Sequence, residues 1–213
     1  MMTNSIVHHS GCAHGASLRR FRVTRLERVE NMTLWLNYQR QKTALRERTQ
    51  YHDHAPEQLA DALHGGRTLD EGINEFGLWH GTKPEIADIL STAGFDERVG
   101  GDTNGGLYGR GCYFADAFCK ANQYATQVNA DGEHCVLYCR VTMGFAYKTA
   151  QTHRNERRPP DNPATPGAPY DSIFAETGVA PGIHPPHGQQ HNEFVGFRHD
   201  QYYPEYIVWY KTR

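Results

Sequence analysis

Apolar and polar residues come close to alternating over Phe21-Arg22-Val23-Thr24-Arg25-Leu26, which predicts a half-buried strand. Asn31 then stands where a helix cap belongs. The segment Met32–Arg48 behind it carries Trp35, Tyr38 and Leu45 on or near one helical face. Pro56 opens a second, short helix over Glu57–Leu63 that closes at Gly65 and Gly66. The run Gly77-Leu78-Trp79-His80 reads as a short buried strand ending at Gly81. Lys83–Thr92 reads as a helix with Ile86, Ile89 and Leu90 inward and Gly94 as its stop. Six glycines between Gly100 and Gly111 predict a loop with special backbone angles. A strand over Cys112–Ala115, a helix capped by Asp116 and running to about Thr126, and a strand over Cys135–Met143 follow. Gln151–Gln190 holds eight of the eleven prolines and reads as a long surface excursion. Glu193–Phe197 and Glu205–Tyr210 are two aromatic-rich strands with a turn near Asp200. Most strands come late and only short helices intervene, so the class is α+β with a largely antiparallel sheet.

Composition adds bounds. The 213 residues, 38% hydrophobic and 22% charged, suit one soluble domain with a full core. No apolar run reaches the length of a membrane span, so no membrane partner is expected. Met1–Ser10 lacks the pattern of a secretory signal. Residues 1–17 are small and polar and read as a disordered tail ahead of one domain over 18–213. Five cysteines, an odd count, fit a reducing intracellular compartment, cytoplasmic or nuclear. The net charge of -2 hides an asymmetry: Leu18–Gln50 has nine Lys or Arg against three acids, +6, which leaves -8 on the remainder. Such a stretch contacts nucleic acid or an acidic surface, or is a solvated helix face with arginine stems packed on the core, and the last reading is favoured. His184, His187 and His191 sit in a Pro/Gly loop that presets no metal geometry, so no metal is expected.

Three short segments carry candidate chemistry. In Leu78-Trp79-His80-Gly81-Thr82, a strand-end imidazole stands beside a glycine that leaves backbone groups open to a ligand. Taken alone, such a histidine is more often structural. In Gly109-Arg110-Gly111-Cys112-Tyr113-Phe114-Ala115-Asp116, Tyr113 lies on a strand and Tyr124 follows eleven residues later. The two rings either face each other across a flat ligand or pack in the core, and spacing alone favours packing. In Asn192-Glu193-Phe194-Val195-Gly196-Phe197, an acid stands inside an aromatic strand, on one face with Val195 and Phe197. It is either structurally paired or functional. Glu205, after Pro204, competes with it.

Together these segments resemble the poly(ADP-ribose) polymerase catalytic domain, of the diphtheria-toxin-like class of ADP-ribosyltransferases. His80, Tyr113 and Glu193 match its His-Tyr-Glu signature. Gly94-Phe95-Asp96-Glu97-Arg98 and Lys120-Ala121-Asn122-Gln123-Tyr124 look tankyrase-like, and Arg28–Asn31 with Leu34-Trp35 and Tyr203–Tyr206 are similar to segments near the two ends of that domain. The resemblance spans roughly residues 20–212. It implies the ADP-ribosyltransferase fold, a mostly antiparallel split β-sheet flanked by short helices. It also implies NAD+ as co-substrate and cleavage of the nicotinamide–ribose bond. ADP-ribose then passes to a macromolecular acceptor, protein favoured over nucleic acid, in single units or short chains. NAD glycohydrolase activity, or NAD binding without catalysis, is the alternative. A single copy is expected to suffice.

Residue by residue, the resemblance gives Gly81 the nicotinamide carboxamide, Tyr124 the stack on the ring and Tyr113 the opposite wall. His80 takes a hydroxyl of the adenosine ribose, with Thr82 nearby. Phe114 and Ala115 line the pocket floor. Asp96 and Arg98 face the adenosine side, and Glu193 stabilises the charge on the ribose. Two departures stand out. Ala121 replaces a serine that bonds the nicotinamide amide in many members, a loss of about 1 kcal/mol of binding, and Val99 stands where tankyrases place a histidine. Only 79 residues precede His80, too few for the regulatory helical bundle of the DNA-activated members, so activity without DNA damage is expected.

Overall fold

The computed structural model describes residues 21–51, 55–63, 65–99, 106–149, 151–176 and 191–212. The strands are β1 (Phe21–Arg28), β2 (Arg67–Asp70), β3 (Glu75–Gly81), β4 (Cys112–Phe114), β5 (His134–Thr142), β6 (Ala146–Thr149), β7 (Ser172–Ala175), β8 (Glu193–Gly196) and β9 (Tyr202–Thr212). The helices are α1 (Met32–Tyr51), α2 (Pro84–Ala93) and α3 (Phe118–Asn122).

The strands form two sheets, one in the order β1-β9-β5-β3-β2 and the other β4-β8-β7-β6. Every pairing is antiparallel except β6 with β7. This is the α+β architecture that the sequence pattern predicts. The main core lies around β3, β5 and β9, with Phe76, Leu78, Leu137, Cys139 and Ile207 inside. Cys112, Cys119, Cys135 and Cys139 are buried free thiols, and burial pushes Cys112 and Cys135 up to about 12.

Several expectations need correction. Among the described residues β1 is an edge strand paired only with β9, and most of its residues are exposed rather than half-buried. Glu57–Leu63 is not a helix; only Ala60–Ala62 makes a 3-10 turn. Asn74 holds this segment instead: its amide donates to the Glu57 carbonyl, a group a helix would have paired internally, and its oxygen accepts from the Leu59 N–H. In α2, Ala87 and Leu90 are buried while Ile86 and Ile89 stay 41% and 53% exposed. Asp116 does not cap a helix reaching Thr126. The helix after it is five residues long, begins at Phe118 and takes no side-chain cap. The proline-rich excursion holds a fully buried strand, β7. β8 and β9 follow one another in sequence yet belong to different sheets. The tail expected over residues 1–17, and His184 and His187, lie outside the described residues.

Helix α1 buries Tyr38 and Leu45 and also docks through polar bonds. Tyr38, Lys42 and Arg46 are spaced by four and so share one face. Tyr38 and Lys42 bond the Glu75 carboxylate, and Arg46 bonds Asp70. Arg48 pairs with Asp171. Three cations of the basic stretch, Lys42, Arg46 and Arg48, are thus paired with acids of the same chain. Asn31 accepts from the Leu34 N–H at 3.1 Å and donates to the Thr92 carbonyl at 2.9 Å, so it caps α1 and the C-terminal end of α2 together. Asn31→Ala is expected to cost about 1–2 kcal/mol, the high end for a cap, read as a lower melting temperature.

Candidate active site

Among the described residues the two sheets share one backbone rung. Trp79 and Ala115 exchange backbone hydrogen bonds of 2.8 and 2.9 Å. Beyond that rung β3 and β4 part. In an antiparallel strand the hydrogen-bonding direction alternates. Trp79 turns its N–H and C=O away from β5, toward Ala115, so Gly81, two residues on, presents its own toward the gap. A Cβ on Gly81 would collide with the Ala121 carbonyl oxygen and press on Tyr124 Cβ at 3.0 Å. Only glycine lets this strand end lie so close to α3. The gap therefore offers one backbone donor and one acceptor beside an aromatic ring, which suits a planar carboxamide.

His80 spans the start of the gap. Its Nδ1 lies 2.8 Å from the Tyr113 carbonyl oxygen, so Nδ1 carries the proton and Nε2 is left as an acceptor. Phe95 and Phe114 pack on the ring at 5.1 and 5.5 Å. Desolvation lowers the His80 pKa against the opposing effect of the Tyr113 carbonyl, so the imidazole is neutral at pH 7. Thr82, the next residue but one, is buried.

Tyr113 is half-buried, and its hydroxyl is already bonded. It donates to the Gly109 carbonyl at 2.7 Å and accepts from the Tyr108 N–H at 2.9 Å, fixing the end of the glycine-rich loop. Burial raises its pKa, with Glu193 and Tyr124 adding to the shift, so the phenol stays protonated. Tyr124 lies two residues past α3 and is 37% exposed. The turn that carries it is held by Tyr210, which bonds Asn122, and by His134, whose Nδ1 lies 2.8 Å from the Ala125 carbonyl oxygen.

Glu193 opens β8. The β4–β8 register pairs Tyr113 with Val195 and Phe114 with Phe194, which places Glu193 opposite Ala115 and on the same face as Tyr113. Its carboxylate meets the Lys120 ammonium at 2.9 Å, with both side chains mostly buried. Lys120 also lies 5.4 Å from the Tyr124 ring. Desolvation pulls the Lys120 pKa down, but Glu193 and Tyr124 outweigh it and leave the pKa raised. The competing acid, Glu205, is paired with Arg140 at 3.1 Å.

The structure thus brings together His80, Gly81, Tyr113, Tyr124 and Glu193. Phe114 and Ala115 are buried beside them, and Phe114 packs on the His80 ring. Asp96 and Arg98 bind each other through 2.9 and 2.7 Å bonds, and that pairing lowers the Asp96 pKa to about 2. Lys120 was not among the residues singled out from sequence. Its signal was available: an i, i+4 spacing to Tyr124 behind a strand that faces an acid.

A family model of the poly(ADP-ribose) polymerase catalytic domain matches residues 4–213. The human protein mono-ADP-ribosyltransferase PARP14 is 30% identical over 204 residues, which are 94% of this chain and 9% of that protein. The mouse protein mono-ADP-ribosyltransferase PARP12 is 30% identical over 89% of this chain and 22% of its own length. Mouse PARP11, also a protein mono-ADP-ribosyltransferase, is 27% identical over 91% of this chain and 54% of its own length. The chain spans from a tenth to about half of these relatives. With the family model covering nearly all of it, and with His80, Tyr113 and Glu193 gathered around one gap between two sheets, the chain belongs to the poly(ADP-ribose) polymerase catalytic domain family.

Proposed function

We propose that this domain is an NAD-dependent ADP-ribosyltransferase that delivers single ADP-ribose units to a macromolecular acceptor, protein before nucleic acid. The Glu193–Lys120 pair beside Gly81 and Tyr124 carries the reading. A module that only binds NAD+ has no use for a carboxylate held at this place. Gly81 takes the nicotinamide carboxamide on its free backbone groups, Tyr124 stacks on the ring and Tyr113 walls the other side. His80 accepts a ribose hydroxyl at Nε2. Asp96, Arg98 and Thr82 border the adenosine end, over Phe114 and Ala115. Breaking the nicotinamide–ribose bond develops positive charge on the ribose. A carboxylate already fixed by Lys120 stabilises that charge with little reorganisation, and it polarises the incoming acceptor. The mono-transferase names of the three relatives support single units over chains.

The test follows the adenine label of NAD+ incubated with the protein and a cell extract. Label is expected on macromolecules as single ADP-ribose units. Free ADP-ribose as the main product identifies a glycohydrolase instead, and unconsumed NAD+ identifies a binding module. His80→Ala is expected to weaken NAD+ binding about tenfold, which corresponds to roughly 1.4 kcal/mol, the scale of one good hydrogen bond. Calorimetric titration showing unchanged affinity would remove His80 from the binding assignment.

A further inference from the structure

The β4–β8 register runs Cys112–Gly196, Tyr113–Val195 and Phe114–Phe194, then backbone pairing stops. Two rungs further on, the same register places Asp116 opposite Asn192. There a side-chain bond takes over: Asn192 Nδ2 donates to Asp116 Oδ2 at 2.8 Å. The same nitrogen donates to the Ala62 carbonyl at 2.7 Å. Both side chains are fully buried. Asn192 directly precedes Glu193. Asp116 directly follows Ala115, the residue bonded to Trp79, and stands four residues before Lys120. A buried amide–carboxylate bond is costly to desolvate and returns its cost only in good geometry, so it specifies one arrangement.

We propose that the buried Asn192–Asp116 pair positions the carboxylate of Glu193, locking the start of β8 to the segment that leads into α3 so that Glu193 stays on Lys120. In a strand, neighbouring side chains point to opposite faces. Holding Asn192 on one face therefore fixes what Glu193 presents on the other. The same bond sets where α3 begins, and with it Lys120 and Tyr124. The pair is one positioning device for both halves of the site, and its catalytic consequence rests on the transferase reading above.

The test compares Asn192→Ala with Asp116→Asn in the full chain, through kcat, KM for NAD+ and the Lys120 side-chain titration followed by carbon-13 NMR. Asn192→Ala is expected to lower kcat about 10- to 100-fold, the scale of a small misplacement, with KM within threefold. Lys120 then titrates at lower pH than in the wild type, because its partner has moved. Asp116→Asn keeps an oxygen that accepts from Asn192, so it retains at least a third of kcat and the wild-type Lys120 titration. The proposal is overturned if Asn192→Ala leaves both kcat and the Lys120 titration unchanged, or if Asp116→Asn is as impaired as Asn192→Ala. Should Asn192→Ala not fold, Asp116→Ala against Asp116→Asn makes the same comparison from the other partner. If the wild type itself consumes no NAD+, the transferase reading fails, and the Lys120 titration alone still decides whether the pair positions Glu193.

Discussion

Glu193→Gln is expected to lower kcat about 100- to 1000-fold while KM for NAD+ changes little. The size is that of removing one preorganised electrostatic partner of a developing charge. The asymmetry follows from what the carboxylate does. Before bond cleavage the ribose carries no charge for it to stabilise, so the loss falls on the transition state. Gln keeps the side chain's size and its accepting oxygen, so the strand position and the Tyr113 wall persist. Lys120 gives an independent check. In the wild type its pKa is raised above the ordinary lysine value, so the ammonium stays charged through the ordinary lysine range. Stability from the pair is therefore full below the ordinary lysine value and is lost as pH rises through the raised one. With Glu193→Gln the raising influence of Glu193 goes, while desolvation and the influence of Tyr124 remain, so Lys120 must titrate earlier than in the wild type. A variant with undiminished turnover would show that Glu193 is a structural acid, and the mechanism would have to be rebuilt on another group.

His80, Tyr113, Tyr124 and Glu193 were legible in the sequence because each sits in a short ordered motif, and the structure gathers them at the split between the sheets. Their working states were not legible. That the Tyr113 hydroxyl is already bonded to the glycine-rich loop depends on Gly109 and Tyr108 folding back onto it. Lys120 gains meaning only when β8 arrives from some seventy residues away in sequence. Phe114 reads as a pocket-floor residue from its motif; that it packs at once on His80, Phe95 and Tyr202 follows from strand alternation and from segments its motif does not contain.

The fold divides in the same way. Strands with their own apolar period, such as β3, β5 and β9, were visible locally. Elements decided by distant partners were not. Pro56 promised a helix, but Asn74 claimed its backbone groups. The prolines of the long excursion hid β7, a buried strand whose place is set by β6 and β8. Asp116 looked like a cap and turned out to be the acceptor for Asn192. In each case a partner supplied by another segment, a polar side chain for Asn74 and Asn192 and neighbouring strands for β7, overrode the local preference.

The basic stretch before residue 50 leads to the last large effect. Glu75→Ala is expected to destabilise the domain by about 3–5 kcal/mol, the range for breaking a buried ion pair from one side. Glu75 is fully buried at the start of β3. It accepts from the Tyr38 hydroxyl at 2.7 Å, pairs with Lys42, and lies 3.5 Å from Arg140, which goes on to Glu205. Removing it strands the mostly buried Lys42 ammonium and the Tyr38 hydroxyl, and detaches the middle of α1. At 2–4 °C per kcal/mol for a domain of this size, the melting temperature is expected to fall by roughly 10 °C. Glu75→Gln separates the contributions. It keeps an acceptor for Tyr38 but gives Lys42 no charge, so it should fall between wild type and Glu75→Ala. If Glu75→Ala melts with the wild type, α1 is held by Trp35, Tyr38 and Leu45 packing instead, and the four-residue spacing of Tyr38, Lys42 and Arg46 is incidental. If it melts as expected, the charge of this stretch is what fastens α1 to the sheet whose strand β3 ends in His80 and Gly81.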